Sequence, residues 1–180
     1  MGWVPFQLLY LGPFSNVRCK RAIGWNEILE SGADSTAVII NRYSDDRTVE
    51  AIGKGFDVIA SETQYCYFDY YQTEDRITQP KFFPLGPCIT LSKVYSFRPV
   101  PDRVPADRRK QVIGVQANLW TEFIPNIRVA EYQLLPRLAA LCEKQWREAD
   151  AATYGDFSAR LPRLTDIYKA NSYFFCRLTE

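Results

Sequence analysis

"VIGVQANLWTEFIPN", residues 112–126, opens as an almost unbroken apolar run and closes on an indole, Trp120, and a carboxylate, Glu122. "QVIGVQANLW" (111–120) reads as a strand covered on both faces, the kind that parallel sheets carry. Upstream, "TAVIINRY" (36–43) is a second, β-branched run and "FDVIAS" (56–61) a third, while "RAIGWNEIL" (21–29) predicts a short strand ending near Trp25 and then a brief helical turn. Between the middle two, "SDDRTVEAIGKG" carries a helix signature, with Ser44 or Asp45 to cap, acids in the first turn and Gly55 to stop it. Downstream, the apolar spacing from Arg128 to Arg147 predicts an amphipathic helix entered or kinked near Pro136, and "YGDFSARLPRLTDIYKAN" a final helix. Residues 73–110 hold several prolines and charges and read as a long loop with one short helix at "LSKVYSF". Residues 1–19 fit no period and stay unassigned. Strands alternating with helices define an α/β chain with a parallel sheet. Four strands make either a small open sheet or half of an eight-stranded barrel.

Composition narrows the function. The 180 residues are 47% hydrophobic and 24% charged, the profile of one globular domain. A net charge of +1 without a dense basic run excludes the footprint of a nucleic-acid binder. No apolar stretch approaches the roughly 20 residues of a membrane span, and the N-terminus lacks a positive leader and a small-residue cleavage site, so no signal peptide is expected and localisation stays open. Cys19, Cys66, Cys88, Cys142 and Cys176 are odd in number and show no Cys-x-x-Cys spacing. Buried free thiols are therefore expected, rather than zinc or a disulfide framework, and neither metal nor cofactor. The chain has no histidine, which removes every Ser-His and Cys-His mechanism.

Three of the predicted strands end alike: Trp25-Asn26-Glu27, Tyr67-Phe68-Asp69 and Trp120-Thr121-Glu122. In extended backbone, residues two apart share a face, so each aromatic would lie beside its acid. In a parallel sheet the three pairs would gather at one rim, where α/β proteins place ligands. An aromatic face beside a carboxylate suits a sugar, whose axial C–H bonds stack on the ring while hydroxyls donate to the acid. Any single pair is explained as well by core filling and helix capping. Three at matching strand ends favour a shared pocket.

These residues carry a resemblance. "KRAIGWNEILESG", "FDVIASETQYCYFDYYQ", "LSKVYSFRPVP", "VIGVQANLWTE" and "LLPRLAALCEKQWR" together resemble the second half of the catalytic domain of glycoside hydrolase family 20, the β-N-acetylhexosaminidases. The blocks keep the family's order from about Lys20 to about Tyr173. The resemblance implies a partial (β/α)8 TIM barrel, roughly strands five to eight with their helices, over residues 20–180. It also implies retaining hydrolysis of terminal N-acetylglucosamine or N-acetylgalactosamine, in which the substrate's own acetamide oxygen attacks the anomeric carbon. By the same resemblance Trp25 walls the acetamide pocket and Tyr67 donates to the acetamide carbonyl. Trp120 floors the pyranose ring, and Asp69 and Glu122 hold the hydroxyls at C4 and C6.

The chain departs from the family in three places. The general acid and its aspartate partner belong to a His-x-Gly-Gly-Asp-Glu motif at the end of the family's fourth strand; this sequence has no histidine and no Asp-Glu dipeptide. The family's sugar-holding arginine near the first strand is unmatched. Asn41, in "IINRYSDD", stands where a tryptophan is usual. Asp45-Asp46 offers no replacement acid, because helix capping explains it better; Glu27 is expected to cap the turn after its strand, and Arg137 and Arg160 to tie helices to the barrel wall. The expected partner is an N-acetylhexosamine-containing glycan. Half a barrel, with its open parallel edges, also predicts assembly, as a homodimer or with a separate N-terminal half-barrel. The chain alone is expected to be inactive. The competing reading is a carbohydrate-binding remnant without turnover.

Overall fold

A computed structural model describes residues 20–80, 86–147 and 152–177; the unassigned segment 1–19 lies outside them. The strands are β1 (Ile23–Trp25), β2 (Val38–Asn41), β3 (Asp57–Ala60) and β4 (Val112–Val115), and the helices are α1 (Asp45–Gly53), α2 (Thr63–Cys66), α3 (Leu91–Tyr95), α4 (Ile127–Leu134), α5 (Arg137–Trp146) and α6 (Tyr154–Ala170). Short 3-10 turns cover Asn26–Glu30, Ala106–Gln111 and Thr121–Phe123. The chain divides into two compact units, one of residues 1–63 and 99–116, the other of 64–98 and 117–180.

The first unit is the sheet. All four strands are parallel and in sequence order, as the apolar runs predict. Gly24, Ile39 and Val58 lie in register across β1–β3 and so share a face. On that face Ile39 and Val58 join Ile28, Leu29, Ala51, Ile52, Phe56 and Val104 in one core, with Val112 packed against it. Gly24 makes a close approach there: a Cβ would meet Ile28 Cγ2 at 3.0 Å, so the glycine eases the packing of the 3-10 turn onto the sheet. Val58 pairs with Val112, but Ile59 pairs with Gly114, so the register slips at Ile113. On the two outer strands, Ile23 and Ile113 stay 56% and 50% exposed.

Asn41 is fully buried and organises the end of β2. Its Nδ2 donates to the Ser44 carbonyl and to Thr48 Oγ1, and its Oδ1 accepts from Asn26 Nδ2 and the Tyr43 N–H. Asn26 Oδ1 in turn accepts the Arg42 N–H at 2.8 Å. Ser44 is the N-cap of α1 but makes no side-chain cap bond, so the expected hydroxyl cap is absent. Asn41→Leu would leave several buried polar groups unpaired, so a loss of about 2–4 kcal/mol is expected in urea unfolding. A loss under about 1 kcal/mol would contradict that account.

The second unit is mostly helical. The predicted helix from Arg128 to Arg147 is two helices, α4 and α5, because Pro136 interrupts the hydrogen-bond ladder. α6 begins with a capping box that the sequence reading missed: Thr153 Oγ1 accepts the Asp156 N–H, and the Asp156 carboxylate accepts the Thr153 N–H. Arg160 on α6 pairs with Glu143 on α5 at 2.7 Å, and Glu143 also accepts the Tyr95 hydroxyl from α3. Of the described thiols, Cys66 and Cys176 are buried as expected, but Cys142 is exposed, on the outer face of the amphipathic α5.

Candidate functional site

Four of the five proposed sugar-contacting residues belong to the second unit and cluster there. Tyr67 forms an isolated parallel bridge with Asn118, reinforced by Phe68 N–H to Asn118 O at 2.7 Å and Asn118 N–H to Cys66 O at 2.8 Å. The bridge aligns the segments carrying Tyr67 and Trp120, whose ring centroids are 6.2 Å apart. Tyr67 and Tyr70 stack at 6.2 Å. A Cβ at Gly86 would lie 2.2 Å from the Tyr70 ring, so this tyrosine keeps its place only beside glycine.

The backbone does not follow strand alternation at these acids. β4 ends at Val115, and Trp120 sits in extended backbone just before the Thr121–Phe123 3-10 turn. Asp69 likewise lies in a turn, and Glu27 in the 3-10 turn after Trp25. The acids are therefore not two-residue repeats along a strand. Each chain bends straight after its aromatic, and the bend carries the acid.

Asp69 is the unusual group. Its carboxyl is pushed up to about 6, first by burial and then by the nearby Glu122, against the pull of main-chain N–H groups at Asp69 and Trp120 and of the Arg137 cation. One oxygen, Oδ1, is buried with no hydrogen-bond partner, one of two such side-chain atoms among the described residues. Buried carboxylate oxygens are normally satisfied, so an orphan beside an aromatic surface marks a place where a donor is missing. Trp120 is 43% exposed and Glu122 is also exposed; Glu122 lines a concavity of about 370 Å³ with Thr121, Phe123, Ile124 and Pro125.

Trp25 stands in the first unit at the end of β1 and is half-buried. Glu27, expected as a cap, instead holds an ion pair with Arg42 at 2.5 Å and accepts the Tyr43 hydroxyl at 2.9 Å, and these partners hold its pKa low against the cost of burial. Asn26, Glu27, Glu30, Tyr43, Ser44 and Arg47 line a separate concavity of about 330 Å³. Asp45 and Asp46 lie in the first turn of α1 as expected, with Asp46 paired to Arg103 at 2.5 Å. Among the described residues no cluster of three or more His, Cys, Asp or Glu could hold a metal ion, and no helix is long and apolar enough to cross a membrane.

A catalytic-domain pattern runs through both regions. Residues 10–149 match glycosyl hydrolase family 20, catalytic domain. The chain belongs to that family. It is 35% identical over 143 residues to a β-hexosaminidase of Porphyromonas gingivalis, covering 79% of this chain and 18% of that one. It is 30% identical over 126 residues to a β-hexosaminidase of Vibrio furnissii, covering 68% of this chain and 20% of the relative. Among solved structures it resembles an exo-β-N-acetylglucosaminidase from Vibrio harveyi in complex with N-acetylglucosamine, with a TM-score of 0.85 and 26% identity over 94% of this chain and 27% of the other. The fold is accordingly a partial TIM barrel, and the chain spans about a fifth of the length of these two curated relatives.

Proposed function

We propose that this chain carries the sugar-holding part of a β-N-acetylhexosaminidase site and that its ligand is a terminal N-acetylhexosamine. The orphan Oδ1 of Asp69 beside the half-exposed Trp120 is the observation that carries this reading. A pyranose stacked on the indole brings a hydroxyl to that oxygen. The hydroxyl supplies the missing hydrogen bond, and the stacked face replaces water on the ring. Glu122 accepts a second hydroxyl. Tyr67, packed against Trp120, donates to the acetamide carbonyl and so aims its oxygen at the anomeric carbon. For Trp25, in the first unit, the reading rests on the family resemblance alone. The family relationship and the relative solved with N-acetylglucosamine support the same ligand class.

The 180 residues contain no Asp-Glu pair and no histidine. On this reading the proton for the leaving oxygen comes from a group outside them, and these residues alone bind sugar without turnover. Ile23 and Ile113, half-exposed on the outer strands, favour assembly with a second copy or a separate half-barrel, since parallel sheets are ordinarily covered on both faces. Calorimetric or NMR titration with N-acetylglucosamine tests the reading. The intact chain is expected to bind, and Trp120→Ala to weaken binding about tenfold, roughly 1.4 kcal/mol. Equal binding by both proteins would refute the site. Hydrolysis of a chromogenic N-acetylglucosaminide above the level of Glu122→Ala would refute the absence of the acid.

A further inference from the structure

The proposed ligand groups Tyr67 and Asp69 sit on a turn with little regular structure of its own. Beyond the Asn118 bridge, the turn is held by the Tyr70 N–H bond to Tyr67 O, long at 3.3 Å. Something else must fix the direction of the Asp69 carboxyl. We propose that Arg137, resting on the sugar-site reading above, is the positioning residue of that site, gripping the main chain on both sides of Asp69 from the first position of α5.

Arg137 is fully buried, the largest such side chain among the described residues. Its Nη2 donates to the Phe68 carbonyl at 2.6 Å and its Nη1 to the Tyr70 carbonyl at 3.2 Å, the carbonyls that flank Asp69. Nη1 also reaches Ile89 O at 3.1 Å, while Nε and Nη2 reach Gln133 O at 3.1 and 2.7 Å, and Nη2 reaches Gln133 Oε1 at 3.0 Å. Gln133 Nε2 adds a second donor to Tyr70 O at 3.3 Å. The guanidinium carbon lies 4.6 Å from the centre of the Phe68 ring. No carboxylate pairs with this cation among the described residues. Its hydrogen-bonding capacity is directed to carbonyl oxygens, which suits the fixed planar fork of arginine and not the point charge of lysine. Burial lowers its pKa to about 9, which leaves it charged at neutral pH, and its field opposes the rise in the Asp69 pKa. A shift of the fork moves two carbonyls and the carboxyl strung between them. Arg137 therefore acts on the ligand through Asp69 and touches no ligand itself.

The test uses the full 180-residue chain with three variants: Arg137→Lys, which keeps charge without the fork; Gln133→Met, which removes one brace of the fork; and Phe157→Leu on α6, a purely structural control. The titration midpoint of the Asp69 side-chain carbon is followed by NMR, assigned through Asp69→Asn, alongside N-acetylglucosamine affinity. Arg137→Lys is expected to loosen the turn and admit water. The Asp69 midpoint then falls from about 6 by about half a pH unit or more, and affinity drops about tenfold. Phe157→Leu lowers the melting temperature but leaves both readouts in place. A folded Arg137→Lys chain with the wild-type midpoint and affinity overturns the proposal, as does a Phe157→Leu chain that moves them equally. If Arg137→Lys does not fold, Gln133→Met decides by the same criteria. If the wild-type chain binds no sugar, the functional reading fails and the Asp69 midpoint alone decides the positioning role.

Discussion

Arg137→Ala is expected to cost about 3–5 kcal/mol in urea unfolding, enough to leave a domain of ordinary stability largely unfolded. What stays behind sets the cost. The carbonyls of Phe68, Ile89, Tyr70 and Gln133 accept from this one guanidinium at 2.6–3.2 Å, and among the described residues only Tyr70 O has a second side-chain donor, Gln133 Nε2. Removing the guanidinium leaves the Phe68, Ile89 and Gln133 oxygens in the interior without a side-chain donor, and each such loss carries a cost of about 1–3 kcal/mol. The stem's volume adds a cavity beside the Phe68 ring. Because no carboxylate is paired with Arg137, the variant creates no orphan anion, which sets the estimate below the sum of the single costs. Arg137→Met refills the cavity and is expected to recover part of the loss. A deficit below about 1 kcal/mol for Arg137→Ala would mean that water enters and replaces the guanidinium.

Much of the fold was legible because two sequence signals had a direct structural cause. β-branched runs without alternation marked β2 and β3, since a parallel strand is apolar on both faces. Gly55, with φ of 90°, marked the end of α1, where a left-handed residue is needed. The β4 strand proved shorter than its apolar run, four residues instead of ten, because the slip at Ile113 and the departure of the chain after Val115 end the pairing early. The capping box before α6 was missed although Thr153-x-x-Asp156 stood in the sequence; the helical reading simply began one residue later.

At the site, residue types were legible and geometry was not. Tyr67, Asp69, Trp120 and Glu122 were selected on a same-face rule that the backbone does not follow, and four of the five nevertheless cluster in one unit. What replaces strand alternation is the Tyr67–Asn118 bridge plus two bends. Asn118 has no signature that composition or periodicity could reveal. From sequence Arg137 reads as a helix tie, and its grip on the carbonyls around Asp69 is invisible there because the acceptors are main-chain atoms separated from it by up to 69 positions. Asn41 shows the opposite case. It stands where the family usually carries a tryptophan, and it is the centre of a buried amide network that reaches the start of α1.

Asp69 should make the chain pH-sensitive in a direction opposite to most of its acids. Its carboxyl sits at about 6 in the folded chain against an ordinary 3.8, so the folded state holds the proton more tightly than the unfolded one. Below pH 4 both states are protonated and the associated stability is fully present. As pH rises through 6 the folded carboxyl ionises, and that stability is lost. The difference corresponds to at most about 3 kcal/mol, and to about half that once solvent screening of a half-buried group is allowed. Glu27, Glu50 and Glu143 are shifted down by cationic partners and act in the reverse sense, losing their contribution as pH falls through their folded values. The Asp69 share is therefore read as a difference. Asp69→Asn is expected to be more stable than wild type at pH 7.5 by about 1–2 kcal/mol and to lose that advantage near pH 4. Sugar affinity should run the other way. It rises from pH 5 to 7 in the wild type, as the orphan oxygen gains the charge that a hydroxyl donor prefers, and stays low and flat in Asp69→Asn. A stability difference between the two proteins that is constant from pH 4 to 7.5 would show that Asp69 is solvated like an ordinary surface acid, and the site would lose the feature on which its reading depends.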